Sequence, residues 1–380
     1  MFIKSKLPDV GTTIFSVMSK LAKDYNAINL SQGFPNFDCP PTLQNLVTKY
    51  ISQGMNQYAP MTGVAILRER LAQKIENLYG LSINADTEIT ITAGATQAIY
   101  TIISAFVHAD DEVIIIEPAY DSYGPSIEVN GGKVISYQLL APDFKIDWLN
   151  FRKLVSPKTK MIIINSPHNP TGSILSEMDM QQLEEITQDT DIIVLSDEVY
   201  EHLIYDHQIH QSVFKFPNLY QRSMAVFSFG KTFHSTGWKI GYCVGPDYLM
   251  KEFRKVHQFN VFSVNTPTQY AIAEFLENPS EYLGLPDFYQ QKRDYFAKAI
   301  SNSQFQPLKC SGTYFQLYDY SAISELDDVA FAKWLTIEHG VATIPVSVFS
   351  SFNSNDKLVR FCFAKTEDTL DKAAELINRI

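Results

Sequence analysis

Five short apolar runs, rich in β-branched residues, constrain the fold of this chain more than any other feature. They lie at 88–92, 112–116, 160–164, 191–195 and 224–228. Most are continuous rather than alternating, which is typical of strands buried on both faces. Helical patterns at 97–107 and 177–187 lie between some of these runs. This alternation predicts an α/β fold with a mainly parallel sheet covered by helices.

The two ends of the chain have a different pattern from its middle. Residues 1–40 contain a short amphipathic stretch and then a loop, and helical patterns after 275 mix with short strands such as 358–363. A chain of 380 residues is long enough for about two domains. We therefore predict a large domain at 41–274 and a smaller α+β domain built from 1–40 and 275–380.

The composition argues against several classes of function. The formal net charge is −11, and an acidic surface repels nucleic-acid backbones and anionic lipids. No apolar run is long enough to span a bilayer, and the first residues lack the apolar block of a signal peptide. The four cysteines form no C-x-x-C pair, and His202, His207 and His210 match no common metal template. We expect a cytoplasmic protein with no metal, nucleic-acid or membrane partner, in which these histidines are solvated.

Two polar turns directly follow predicted strands, where α/β proteins place their ligands. Gly94-Ala95-Thr96 is a small turn before a helix, where free backbone N–H groups and the helix dipole favour a phosphate. An ordinary helix cap by Thr96 is the alternative. Asn169 stands before a proline, which keeps its backbone extended and its amide fixed, although a simple turn is the alternative.

An acidic residue and a lysine follow two further strands. Asp197 closes an apolar strand, where a carboxylate is costly unless it meets a cation, either a protonated pyridine nitrogen or a neighbouring Arg or Lys. Tyr200 comes three residues later and can face the same ligand. Lys231 can become a nucleophile in a partly dry site, unless its side chain reaches solvent. The Gly-Lys-Thr string around it is similar to the end of a P-loop, but Ala225 stands where that motif requires glycine.

Arg360 lies between apolar residues near the end of the chain. A guanidinium in such surroundings requires an anionic partner. That partner is either the carboxylate of a substrate or a structural carboxylate of the protein.

In their order along the chain, these residues resemble the class I aminotransferases among the fold-type-I pyridoxal-phosphate enzymes. The resemblance extends over about 29–370 and rests on Tyr58, Gly94-Ala95-Thr96, Tyr120, Asn169, Asp197, Tyr200, Ser228, Lys231, Lys239 and Arg360. The strings that begin at Leu30, Asn56, Lys231 and Arg360 resemble the kynurenine and glutamine branch, above all its bacterial methionine aminotransferases. The resemblance implies a mainly parallel seven-stranded sheet sandwiched by helices, beside a smaller α+β domain.

The resemblance also implies a role for each residue around a pyridoxal 5'-phosphate cofactor. Lys231 binds the cofactor covalently and shuttles the proton, Asp197 keeps the ring nitrogen protonated, and Tyr200 contacts the ring oxygen. The other cofactor-binding residues hold the phosphate or contact the ring: Gly94, Ala95, Thr96, Tyr120, Asn169, Ser228, Lys239 and, from a partner subunit, Tyr58. The substrate-binding residues clamp the α-carboxylate or line the pocket: Gly33, Phe34, Asn169, Arg360, Phe15 and Phe262. The implied assembly is a homodimer in which Tyr58 and Phe262 reach the partner's site.

We therefore predict an aminotransferase that moves the α-amino group of an apolar, sulfur-containing or aromatic L-amino acid to a 2-oxo acid by a ping-pong mechanism. Methionine is the favoured donor, with phenylalanine, tyrosine, tryptophan, leucine, glutamine or kynurenine as others. Dicarboxylate-specific relatives use a second arginine, and the stretch 259–268 contains Phe259 and Phe262 but no arginine. Core packing is the alternative for each aromatic residue, including Phe15. The alternative reaction, on the same cofactor, is that of a cysteine-conjugate carbon–sulfur β-lyase.

Overall fold

The computed structural model describes residues 3–352 and 354–380. This part of the chain forms fifteen α-helices: α1 (Ile14–Asp24), α2 (Pro41–Ser52), α3 (Ala65–Tyr79), α4 (Ala95–Phe106), α5 (Tyr123–Val129), α6 (Trp148–Phe151), α7 (Glu177–Thr187), α8 (Pro217–Tyr220), α9 (Phe229–Thr232), α10 (Asp247–Asn260), α11 (Thr266–Phe275), α12 (Ser280–Leu283), α13 (Leu285–Ala299), α14 (Asp328–His339) and α15 (Glu367–Ile377). None of the helices in these residues is long and apolar enough to cross a membrane.

The same residues form thirteen strands, seven of which make one large sheet. The strands are β1 (Ile28–Asn29), β2 (Ile89–Thr92), β3 (Glu112–Glu117), β4 (Lys133–Gln138), β5 (Thr159–Asn165), β6 (Ile193–Asp197), β7 (Ser223–Ser228), β8 (Gly241–Val244), β9 (Gln306–Pro307), β10 (Phe315–Asp319), β11 (Val341–Ala342), β12 (Ile344–Pro345) and β13 (Leu358–Cys362). The large sheet has the order β2-β8-β7-β6-β5-β3-β4, and only β8 runs against its neighbours in the described chain. The predicted α/β fold with a mainly parallel seven-stranded sheet is confirmed.

Alternate residues of the central strands enter two separate apolar cores. In β3, Val113 and Ile115 pack in the core that includes α4 and α10, whereas Ile114 and Ile116 pack in the larger core on the other side. Because successive side chains of a strand point to opposite faces, this division shows that both faces of the sheet are covered. Burial on both faces explains why the five apolar runs, which became β2, β3, β5, β6 and β7, lack an alternating pattern.

The two ends of the chain come together in a second group of elements. β1, near the N-terminus, pairs in parallel with β11, and α1 packs on α14. β13 lies between β10 and β12 in an antiparallel sheet. This pairing is what a small domain built from both termini requires, and the domain boundaries at 40 and 274 stay predictions.

Candidate active site

The carboxyl ends of β5, β6 and β7 and the N-terminus of α4 surround a cleft with about 730 Å³ of empty space. Parallel strands end at the same edge of a sheet, so residues that are far apart in sequence meet there. Ten of the predicted residues line this cleft: Gly94, Ala95, Thr96, Tyr120, Asn169, Asp197, Tyr200, Ser228, Lys231 and Lys239. Of the predicted cofactor-binding residues, Tyr58 alone does not line it within the described chain.

Asp197 is the last residue of β6 and only 4% exposed. Its Oδ2 accepts a hydrogen bond from the Tyr123 hydroxyl at 2.6 Å, and its Oδ1 accepts one from the Val199 N–H at 3.3 Å. Burial raises the pKa of Asp197 to about 6, although these hydrogen bonds and the charge of Lys231 act against the rise. The next buried carboxylate, Glu198, is paired with His210, whereas Asp197 has no such partner among the described residues. A buried carboxylate without an ion-pair partner is suited to bind a ligand with a positively charged group.

Lys231 lies in α9, the single helical turn that follows β7. Its Nζ donates to the Gly33 carbonyl oxygen at 3.1 Å and lies 5.7 Å and 5.5 Å from the ring centroids of Tyr200 and Tyr314. Burial lowers the pKa of Lys231 to about 8. The side chain therefore points into the cleft rather than to solvent. More of its amine is unprotonated near neutral pH than in a surface lysine, and the unprotonated form is the nucleophile.

The turn before α4 has the geometry of an anion site. Gly94 is the N-cap residue, with φ 79° and ψ 169°, and no side chain caps the helix. Thr96 is therefore not the helix cap that was its alternative role, and its hydroxyl lies 3.3 Å from the Tyr120 hydroxyl. The first N–H groups of α4 have no partner within the helix, which makes them available to a phosphate. Ser228 and Lys239 line the same cleft and add a hydroxyl and an ammonium group.

Arg360 lies in β13 and is 1% exposed. Its Nη1 donates to Asn169 Oδ1 at 2.7 Å and its Nη2 to the Ser31 carbonyl oxygen at 3.3 Å. Its Nε has no hydrogen-bond partner among the described residues. The guanidinium carbon lies 3.9 Å from the centroid of the Phe315 ring. Because no carboxylate in the described chain forms an ion pair with it, Arg360 is suited to an anionic ligand beside Asn169.

Two further residues, not predicted from the sequence, hold this arrangement together. Tyr123 donates its hydroxyl to Asp197, as described above. Asn165, the last residue of β5, donates Nδ2 to the Asp197 carbonyl oxygen at 2.9 Å, and its Oδ1 accepts from the Asn169 N–H at 2.8 Å. The only sequence signal for Asn165 is its place at a strand end, because its partners are fixed by the pairing of β5 with β6.

The remaining predicted residues lie outside the cleft of the single chain. Tyr58 and Phe262 are 82% and 51% exposed, and their rings meet edge to face with centroids 5.4 Å apart. Phe34 is also exposed. Phe15 packs on Phe349 and lies 5.5 Å from the Arg360 guanidinium. Phe15 is therefore next to the candidate carboxylate clamp, whereas Tyr58 and Phe262 stay predicted contributors to a partner's site.

The solvated state predicted for three histidines is wrong for two of them. His202 and His210 are 8% and 9% exposed. His210 Nε2 lies 2.7 Å from Oε2 of Glu198, and His202 Nε2 lies 3.3 Å from Oε1 of Glu201. A buried carboxylate is unfavourable without a polar partner, and the two histidine rings lie in the interior as partners of Glu198 and Glu201. In the part of the chain that the structure describes, no group of three or more His, Cys, Asp or Glu side chains is placed to hold a metal ion.

Known proteins match this chain along nearly its whole length. A family model described as aminotransferase class I and II matches residues 25–377. The methionine aminotransferase of Escherichia coli strain K12 is 53% identical over 378 residues, which cover 99% of this chain and 98% of that protein. Kynurenine–oxoglutarate transaminase 1 of Mus musculus is 33% identical over 388 residues, with 93% and 91% coverage. A crystal structure from Escherichia coli, described as identifying a methionine aminotransferase function, superposes with a TM-score of 0.98 at 52% identity and full coverage of both chains.

Proposed function

The chain belongs to the class I and II aminotransferases, which depend on pyridoxal 5'-phosphate, and we propose that it transfers the α-amino group of methionine and related apolar or aromatic L-amino acids to a 2-oxo acid. One observation carries the proposal: Lys231 and Asp197 line one cleft, and Arg360 is bonded to Asn169 in the wall of that cleft. The names of the methionine and kynurenine relatives support the donor class.

The unpartnered groups of the cleft fit pyridoxal phosphate. Asp197 forms no ion pair among the described residues, and a protonated pyridine nitrogen would supply a cation for it. The N-terminus of α4, together with Ser228 and Lys239, offers N–H, hydroxyl and ammonium donors for a phosphate. When bound, the cofactor supplies an aldehyde that links to amines and a ring that accepts the electron pair left on the α-carbon.

Lys231 is the group that we expect to move protons. Burial lowers the pKa of Lys231 and so favours its unprotonated amine, which can remove the proton from the α-carbon of the amino acid and return it one carbon away. Asp197 holds the proton on the ring nitrogen, and Tyr123 keeps its carboxylate oriented. Arg360 binds the α-carboxylate through its Nη atoms and thereby aims the α-carbon at Lys231.

We infer the class of amino donor from the aromatic residues of the proposed pocket and from the lack of a second arginine in the stretch 259–268. Phe15 lies beside Arg360, and in the proposed homodimer Phe262 and Tyr58 of the partner complete the pocket. Aromatic walls favour thioether, aliphatic and aromatic side chains. The stretch 259–268 has no arginine for an acidic side chain. A cytoplasmic location is retained as part of the proposal.

A panel of amino donors, each tested with several 2-oxo acids, tests this function. We expect methionine and the aromatic amino acids to have similar kcat/KM values, and aspartate to be lower by at least about 100-fold. Faster turnover of aspartate than of methionine would overturn the donor class. Release of pyruvate and ammonia from a cysteine conjugate without any 2-oxo acid, in the absence of amino transfer, would favour the β-lyase instead.

A further inference from the structure

Lys365, three residues beyond β13, is 2% exposed and lies outside the residues assigned to the reaction so far. Its Nζ donates to the carbonyl oxygen of Phe34 at 2.7 Å and to that of Gln32 at 3.4 Å. No carboxylate among the described residues forms an ion pair with it. A buried ammonium group is strongly unfavourable unless it is fully hydrogen-bonded. Both of its acceptors belong to one loop beside the cleft.

We call residues 31–34 the carbonyl loop. Its four successive carbonyl oxygens accept hydrogen bonds from the side chains of Arg360, Lys365 and Lys231. The bonds run from Arg360 Nη2 to Ser31 at 3.3 Å, from Lys365 Nζ to Gln32 and Phe34, and from Lys231 Nζ to Gly33 at 3.1 Å. Carbonyl dipoles stabilise the guanidinium of Arg360 and the ammonium of Lys365 without cancelling their charge. The loop therefore leaves a net positive field where an α-carboxylate would bind.

The carbonyl loop has little freedom on the side of the cleft. The Gly33 carbonyl oxygen also accepts from the Tyr314 hydroxyl at 2.6 Å, and a Cβ at Gly33 would lie 2.9 Å from the Phe315 ring. That ring is the one on which the Arg360 guanidinium stacks. A small shift of the loop would therefore change the spacing between Gly33 and Arg360.

On its other side, the loop is fastened to the segment that follows β13. Lys365 makes the two bonds given above. Asn36, just past the loop, accepts from the Thr366 N–H at 2.7 Å and donates to Thr369 Oγ1 at 2.8 Å. Because β13 also carries Arg360, these bonds tie the loop to the same rigid strand as the carboxylate clamp.

We propose that Lys365 is a positioning residue for the amino-acid substrate, which holds the carbonyl loop at the distance from Arg360 that the α-carboxylate requires. The proposal rests on the proposed function. A purely structural lysine would affect folding and cofactor binding alike, whereas a positioning lysine affects the affinity for the amino acid selectively. Lys365 does not line the cofactor cleft, so these two effects can be separated.

The Lys365→Met variant keeps an apolar stem of similar length but removes all three donors. We expect KM for the best amino donor of the wild type to rise about tenfold or more, because hydrogen bonds to a charged group are lost. The dissociation constant of the matching α-methyl amino acid, which binds but has no α-proton to lose, rises equally. The value of kcat falls less than about threefold and cofactor affinity is unchanged. The Lys365→Arg variant restores both constants to within about threefold.

Lys357 provides a control, because it precedes β13 and its Nζ also donates to carbonyl oxygens, those of Ser324 and Leu326, besides pairing with the exposed carboxylate of Glu325. The Lys357→Met variant leaves KM unchanged. Asn36→Ala, at an exposed position, cuts the other attachment of the loop and is expected to raise KM in the same direction. If Lys365→Met does not accumulate as folded protein, the KM of Asn36→Ala tests the proposal in its place.

Unchanged KM and unchanged α-methyl binding in folded Lys365→Met, or in Asn36→Ala if only that variant folds, would overturn the proposal. A parallel loss of cofactor affinity and thermal stability in Lys365→Met, without selective loss of amino-acid binding, would also overturn it. If the proposed donor class is wrong, the panel of amino donors shows this with the wild-type enzyme, before any variant is compared. The two failures are therefore distinguishable.

Discussion

Replacement of Tyr123 by phenylalanine removes one hydroxyl group from the site and leaves the aromatic ring in place. Tyr123 is 3% exposed in α5, and its hydroxyl donates to Oδ2 of Asp197 at 2.6 Å. Its ring packs in the core beside α4 and meets the Tyr120 ring edge to face. A change that conserves shape in this way has little effect on packing. The expected effect is therefore electrostatic and centred on Asp197.

The size of the effect follows from the charge on the acceptor. A hydrogen bond to a charged group contributes about 1.5–3 kcal/mol, and one pKa unit corresponds to about 1.4 kcal/mol. Loss of the bond destabilises the carboxylate, so the pKa of Asp197 in the cofactor-free protein rises from about 6 to roughly 7–8. In the cofactor-bound enzyme the same loss weakens the hold on the ring proton. We expect kcat/KM near pH 7 to fall about 10- to 100-fold.

The assay is the pH profile of kcat/KM for the Tyr123→Phe variant beside that of the wild type. The deficit should grow as the pH rises, because the ring proton that Asp197 then holds less firmly is lost more readily at higher pH. Tyr248→Phe is the control, because its exposed hydroxyl donates only to the backbone of Gln221 at 2.8 Å in the described structure. A Tyr123→Phe profile within twofold of the wild type at every pH would show that the hydrogen bond from Tyr123 to Asp197 does not contribute to the reaction.

Three further outcomes are expected from the same site. In the cofactor-free protein, trinitrophenylation of Lys231 should have a midpoint near pH 8, because burial disfavours its charged form, and a midpoint near 10.5 would contradict this. Arg360→Lys keeps the charge but loses the forked geometry, so KM for methionine should rise at least about tenfold, whereas Arg293→Lys, whose guanidinium pairs with an exposed aspartate, should leave KM unchanged. Tyr58→Phe should weaken cofactor binding several-fold on equilibrium dialysis. A mixed dimer combines one Tyr58→Phe subunit, which keeps Lys231, with one Lys231→Ala subunit, which keeps Tyr58. It should have one tight cofactor site if Tyr58 acts across the interface, and none if Tyr58 acts within its own subunit.

Most residues of the cleft could be predicted because the signal for them is local. A strand that ends in Asp197, or a strand followed by Gly94 and a helix, is visible in a few consecutive residues. The parallel arrangement of the strands then brings these ends together without further information. The same logic explains why the predicted residues at the strand ends share one cleft, whereas the roles of Tyr120, Ser228 and Lys239 were implied only by the resemblance to the aminotransferases.

Features that depend on partners distant in sequence could not be predicted in this way. β8 is a four-residue strand, and β4 is an edge strand that alternates poorly between polar and apolar residues, so neither was among the five apolar runs. The bond from Tyr123 to Asp197 spans 74 positions, and that from Lys365 to Phe34 spans 331. His202 and His210 appear solvent-facing in sequence because the buried carboxylates that pair with them do not show their burial locally.

Reduction of the purified protein with borohydride, followed by peptide mapping, identifies the residue that binds pyridoxal phosphate covalently. We expect the reduced cofactor on the peptide containing Lys231, and no label on Lys231→Ala protein. A label on any other lysine, or the absence of a label from protein with Lys231 intact and cofactor supplied, would contradict this expectation.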